Sequence, residues 1–338
     1  MTGEEFRAAS NRPSRRTVLA VTAGGLAAAF GGTAQAAARI KVAAVYVAPV
    51  EQQWNSRLHK ALRAAQERGD IEYVYSESVA MTDQERVIRE YAVGGQQLIV
   101  SDSFSNEEGF RAMAKDYPDT KFLMASSFGP EAGNYAVFDN FIQDASYLTG
   151  LIAGGITKSG VIGMVGGYPI PEVNRLMNAF KAGVLETRPD ARFLVTFIGS
   201  WFDPPKAKEA AFAQIDAGAD VLYAERFGVT DAAKERKVLA IGNVIDTQAD
   251  YPDTMVASAI WNTEPMIDAA IAKVRDGTFT GESYESYASL KAGGAELAPL
   301  GTFEGKLPAE LLARMRKRQE EIRSGAFKVT RDDSEVKP

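Results

Sequence analysis

The chain has 338 residues, a formal charge of −6 and no cysteine. Without cysteine there can be no disulfide, no thiolate metal site and no lipid-anchoring cysteine. The acidic balance and the lack of a basic run argue against nucleic acid and anionic membrane surfaces as partners, since phosphate neutralisation needs clustered Lys and Arg.

The first stretch reads as an address. A polar lead, Met1 to Pro13, precedes Ser14-Arg15-Arg16-Thr17-Val18-Leu19. An apolar run from Val18 to Phe30 follows, then Ala34-Gln35-Ala36, an A-x-A cleavage site. A basic region, a short apolar core and small residues at the cut make a signal peptide over 1–36, cleaved near Ala36. The paired arginines point to twin-arginine export and a periplasmic destination. The run is about 13 residues, short of the ~20 that a spanning helix needs. Cleavage removes four arginines and two glutamates, leaving a charge of about −8.

From Ile40 short apolar runs alternate with amphipathic ones. Strands are predicted at Lys41–Val47, Glu72–Tyr75, Gln97–Val100, Lys121–Ala125 and Tyr135–Phe138. Helices are predicted at Gln53–Arg68, Asp83–Val93 and Glu107–Asp116. The one histidine, His59, lies beside Arg57 and Lys60 and reads as a solvated surface residue. A single histidine also makes Ser-His-Asp chemistry and a multi-histidine metal site hard to build.

After Phe138 the order starts again. Helices at Ala145–Thr157, Pro171–Leu185, Pro205–Ala217, Asp231–Glu235 and Pro265–Arg275 alternate with strands at Val161–Val165, Arg192–Ile198, Val221–Ala224, Val238–Ile241 and Thr254–Ile260. The last helix, Pro308–Ser324, precedes a polar tail, 326–338, expected to fray. Continuous apolar strands separated by helices imply α/β architecture with parallel sheets covered on both faces.

The halves also align with each other. In one register Asn55 meets Asn174 and Ala61 meets Phe180; in another, Gly95 to Asp102 meets Gly218 to Glu225. Two similar lobes are expected, with strand ends facing across a gap where a ligand binds. The first lobe is predicted over 39–140 plus about 262–296, the second over 141–261 plus about 297–325. Tyr135–Phe138 and Val256–Ile260 are candidate crossings.

The loops beyond strand ends are rich in aromatics and carboxylates. Trp54 and Asn55 follow the first strand, and Asp102 and Phe104 the third. Trp201, Phe202, Glu225, Asp246 and Trp261 follow later ones, so all three tryptophans lie in such loops. A flat, polar heteroaromatic ligand suits this set, its faces stacking on rings and its edges bonding to carboxylates and amides. Gly163-Met164-Val165-Gly166-Gly167 lacks the G-x-G-x-x-G spacing, and Pro169 and Pro171 remove N–H donors, so a dinucleotide or phosphate site is disfavoured.

Ile162 to Gly167, with Pro169-Ile170-Pro171-Glu172-Val173 and Asn178-Ala179-Phe180, resemble the basic membrane protein family of ABC-importer binding proteins, which includes purine-nucleoside receptor lipoproteins. Gly199-Ser200-Trp201-Phe202-Asp203-Pro204-Pro205-Lys206 is closer still, running on to Asp216-Ala217-Gly218-Ala219-Asp220-Val221. Tyr147-Leu148-Thr149-Gly150 resembles the family's interlobe helix start. The resemblance covers Ile40 to Ser324 and implies a type I periplasmic-binding-protein fold, two Rossmann-like lobes joined by a hinge. It implies a purine-type ligand and an inner-membrane ABC permease as partner, with Trp54 and Asn55 in the base-recognition loop, Trp201-Phe202 near the cleft and Asp246 facing a sugar. Two departures stand out. Where family nucleoside receptors place a basic residue this chain has Trp261-Asn262, and it has no anchor cysteine. A free purine nucleobase is therefore expected over a nucleoside, captured by a diffusing, monomeric periplasmic receptor without cofactor, metal or enzymatic activity.

Two other functions compete. A periplasmic nucleoside hydrolase could use Asp102, Glu225 or Asp246 as an acid/base pair, although no spacing selects a pair. A ligand sensor docking to a membrane receptor would share the lobes and differ in partner.

Overall fold

The structure, a computed structural model, describes residues 39–131 and 133–338; the export signal expected over 1–36 lies outside the described residues. The apolar runs build two sheets. The first holds β1 (Ile40–Val45), β2 (Ile71–Ser76), β3 (Leu98–Asp102), β4 (Lys121–Ala125) and β5 (Tyr135–Phe138), in the order β2-β1-β3-β4-β5. Every pairing is parallel. The connecting helices are α1 (Gln53–Glu67), α2 (Gln84–Val93) and α3 (Glu107–Asp116). Helices over both faces bury all of β3, which is why its sequence shows no polar alternation, whereas edge strand β2 alternates.

α4 (Gln143–Ile156) leads into the second half: β6 (Val161–Gly166), α5 (Pro171–Thr187), β7 (Arg192–Phe197), α6 (Pro204–Asp216), β8 (Val221–Ala224), α7 (Val229–Arg236), β9 (Leu239–Val244) and β10 (Met255–Trp261). After α8 (Glu264–Arg275), β11 (Ala295–Leu297) pairs antiparallel with β10, giving the order β11-β10-β9-β8-β6-β7. α9 (Ala309–Ser324) packs on α4. Two doubly wound, mostly parallel sheets are thus the expected α/β arrangement.

The internal register carries shared devices. Asn55 donates Nδ2 to Pro49 O at 3.1 Å, and Asn174 donates Nδ2 to Pro169 O at 3.2 Å. Each asparagine closes the proline loop that precedes its helix. Gly95 and Gly218 both adopt left-handed backbone, with φ of 79° and 101°. Asp102 and Glu225 both close a strand as buried carboxylates.

Residues 139–142 join β5 to α4. After β10 the chain returns to the first sheet, where α8 packs against α1 and β1. Val137 and the 282–284 segment then exchange backbone hydrogen bonds of 2.9 and 2.8 Å. Ala295 and Glu296, expected in the first lobe, instead pair with Trp261 and Ile260 in the second sheet. Antiparallel addition to the free edge of β10 satisfies its backbone groups, a pairing that leaves no motif in so short a strand.

Two further expectations change. His59 is half-buried, not solvated: Nδ1 lies 3.0 Å from Tyr73 Oη, and the ring meets Tyr46 and Tyr75 edge-on. Burial pushes its pKa down, aided by Arg63. The tail 326–338 does not fray. Asn178 Nδ2 donates to Asp332 O and Ser334 O at 3.1 and 2.8 Å, and Lys181 Nζ to Lys337 O at 2.6 Å. Val329 and Val336 are buried. Side chains of α5 satisfy this backbone in place of a ladder, so no periodicity announces it.

Candidate functional site

Strand ends from both halves line one cleft that opens to solvent. From the first half come Val47, Ala48, Gln52, Trp54 and Asn55 after β1, and Asp102 and Phe104 at the end of β3. Opposite stand Glu172 in the first turn of α5, Trp201 after β7 and Arg226 after β8.

Local hydrogen bonds shape the first loop. Gln52 caps α1, its Oε1 accepting from Asn55 N at 2.9 Å. Asn55 Nδ2 also donates to Ala48 O at 2.9 Å, pinning the loop over the helix. Trp54 is backed by Phe138, with centroids 5.8 Å apart and planes 19° apart, and by Trp261 at 5.3 Å. One indole thus faces the cavity on a rigid aromatic base.

The second wall rests on an ion pair. Arg226 Nε donates to Glu225 Oε2 at 2.7 Å, and Nη1 to Trp201 O at 2.8 Å. The guanidinium lies 5.3 Å from the Trp201 ring, which also contacts Tyr168 at 4.8 Å. Glu225 Oε2 accepts from Gly167 N at 2.9 Å. The Gly-rich stretch that ends β6 therefore serves the wall: the backbone at Gly167 lies against the indole, as expected for glycine at a close approach.

Two carboxyls face the cavity. Asp102 is 8% exposed, and burial pushes its pKa up to about 6 against a hydrogen bond from Gln84. Glu172 is 5% exposed. Burial, then the charges of Asp139 and Glu225, hold its carboxyl well above the usual range, so it keeps its proton near neutrality. Such a group both donates and accepts, while Asp102 accepts. Arg226 is committed to Glu225 and the Trp201 carbonyl.

Of the residues singled out in the sequence, Trp54, Asn55, Asp102, Phe104 and Trp201 line this cavity; four do not. Trp261 is 1% exposed and supports Trp54 from behind. Phe202 is 41% exposed and meets Phe227 edge-on. Glu225 is buried as the partner of Arg226. Asp246 is exposed, its Oδ1 accepting from Gln248 N at 3.0 Å and Ser258 Oγ at 3.2 Å. Asn262 is likewise turned aside, accepting from Arg57 Nη2 at 2.9 Å. Strand-end position alone does not say which way a side chain points. Gln52, Glu172 and Arg226 carry no mark of their own in the sequence, although Arg226 adjoins Glu225 and Glu172 lies in the stretch that resembles the family. Among the described residues, no group of three or more His, Asp or Glu side chains is placed to hold a metal ion. Nor is any helix among them long and apolar enough to cross a membrane.

A family model described as ABC transporter substrate-binding protein, PnrA-like, matches residues 40–322. The chain belongs to this family. The family is one of substrate-binding proteins, not enzymes, which take small-molecule ligands and work with a permease. A purine-binding protein of Brucella abortus is 32% identical over 88% of the chain and 86% of its own length. A Haloferax volcanii protein, provisionally named an ABC-transporter glucose-binding protein, is 30% identical over 82% of the chain and 72% of its own length. A solute-binding protein of Aeropyrum pernix superposes with a TM-score of 0.75 at 22% identity, covering 87% of the chain and 94% of that structure. The last likeness concerns fold, and it agrees with the expected type I periplasmic-binding-protein architecture. For a substrate-binding protein of this fold, the cleft between sheets is the place to look for ligand.

Proposed function

We propose that this substrate-binding protein captures a purine-type ligand, a free nucleobase in preference to a nucleoside, and delivers it to an ABC permease. The carrying observation is the cavity itself. Indoles from both lobes, Trp54 and Trp201, are combined with two buried carboxyls, Asp102 and Glu172. Rings stack on a flat base, and a base edge presents donor and acceptor atoms side by side. The commitment of Arg226 to Glu225 disfavours a phosphorylated ligand. Asp246, which the resemblance assigns to a sugar, stands outside the cavity, and this favours the base alone. The name of the Brucella relative supports the same class.

Titration calorimetry of the chain from Arg39 onward tests the reading, with adenine, hypoxanthine, adenosine, guanosine and glucose as ligands. A nucleobase should bind at about micromolar Kd or tighter, at least about tenfold tighter than its nucleoside. Binding of nucleosides without bases, or of glucose alone, would sink it. Export by the twin-arginine route belongs to the same proposal. Replacing Arg15 and Arg16 together by lysine should leave the full-length precursor in the cytoplasm; normal export of that variant would remove this part.

A further inference from the structure

Behind the cavity, Glu172 is held by a chain of contacts that ends far along the sequence. Asn140, in the 139–142 crossing, donates Nδ2 to Glu172 Oε1 at 3.1 Å. Arg175, on the next turn of α5, donates Nη1 to Asn140 O at 3.4 Å and Nη2 to Asp139 Oδ2 at 3.0 Å. Its Nε points the other way, to Asp333 Oδ1 at 2.9 Å. Asp333 lies in the 326–338 segment, beyond the residues that the family model matches.

This segment reaches the hinge at two places. Arg331 donates Nε to Asp333 Oδ2 at 2.9 Å and Nη1 to Glu285 Oε2 at 3.5 Å. Phe141 of the first crossing lies between two guanidiniums, 4.1 Å from Arg175 and 4.7 Å from Arg331. Glu285 directly follows the 282–284 segment that pairs with β5. One segment is therefore tied to α5, to the first crossing and to the chain leaving the first lobe. Hinge motion turns on a few residues at element ends, and these are the residues it holds.

We propose that segment 326–338 is a hinge brace, and that Asp333 is a positioning residue which sets the resting angle between lobes and, through Arg175 and Asn140, presents Glu172 to the ligand. The second half of this statement rests on the cavity being the ligand site; the first half does not.

The chain has no cysteine, so cysteines introduced at Glu108 and Lys206 would carry spin labels without competition. Both positions are exposed, near strand ends of opposite lobes. Inter-label distances would be measured without ligand in the full chain, in a chain stopped after Phe327, and in Asp333→Ala and Asp333→Glu variants. Loss of the brace should shift or broaden the distribution and weaken adenine binding about tenfold, and glutamate should restore most of both. Should the shortened chain not fold, Asp333→Asn replaces it. A lower melting temperature with unchanged distances in every variant would overturn the brace. If the full chain fails to bind any purine while the distances still move, the purine reading falls and the brace stands.

Discussion

Gly167 and Trp201 approach so closely that a Cβ on the glycine would meet the indole at 2.9 Å. The indole must then give by a few tenths of an ångström, and its other neighbours, Tyr168 and Arg226, restrict where it can go. Gly167→Ala should therefore lower ligand affinity several-fold. Melting temperature should change little, because Trp201 is only half-buried. Calorimetry and thermal melts on one preparation check both; a large stability loss with intact affinity would contradict the assignment of Trp201 to the ligand wall.

The two cavity indoles should behave differently. Trp201→Ala should cost about 1–3 kcal/mol of binding, the range for an aromatic stacked on a base. Trp54→Ala should cost a similar amount of binding and also destabilise the fold by about 2–4 kcal/mol, because it removes the cover from Phe138 and Trp261. Urea titrations separate the two variants.

Asp102 trades stability for function. Burial raises its folded pKa to about 6. The folded state then holds the proton more tightly than the unfolded state does. Its favourable contribution is present below the unfolded pKa and is lost as pH rises through about 6. Asp102→Asn should thus stabilise the fold at neutral pH, by about 1–3 kcal/mol, and weaken ligand binding. In the unmodified protein, affinity for a ligand that donates to this carboxylate should rise with pH through about 6 and then level off. Calorimetry across that range checks it, and a flat profile would exclude such a contact.

Arg175 and Asp139 form a buried ion pair, 1% and 0% exposed. Burial pushes the Asp139 pKa up, and Arg175 opposes this. Arg175→Met leaves a carboxylate in the interior without its cation and should cost about 3–5 kcal/mol. The loss should grow as pH rises through the carboxylate range, because Asp139 must then be buried charged. Adding Asp139→Asn should recover part of it. Chemical denaturation of both single variants and of the double variant makes the comparison.

Much of this molecule is legible in its sequence, for a definite reason. A parallel strand covered on both faces must be apolar throughout, and each crossover helix must keep one apolar stripe. Those two demands write the alternating pattern from Ile40 to Trp261 directly into the residue order. They place Trp54, Asn55, Asp102, Phe104 and Trp201 at strand ends, where a doubly wound fold binds ligands. Local chemistry adds caps such as Gln52 and Asp203, and the proline loops closed by Asn55 and Asn174.

What the residue order could not decide is direction. Trp54 and Trp261 both read from the sequence as residues of strand-end loops, yet one opens α1 and lines the cavity and the other ends β10 as the floor beneath it. That outcome depends on how the first and second lobes meet. The same holds for Glu172 and Arg226, whose faces toward the cavity come from the packing of α5 and the pairing with Glu225. It holds most of all for 326–338. A segment without periodicity is fixed there by Asn178, Lys181 and the buried guanidinium of Arg175, partners that only the folded chain brings within reach.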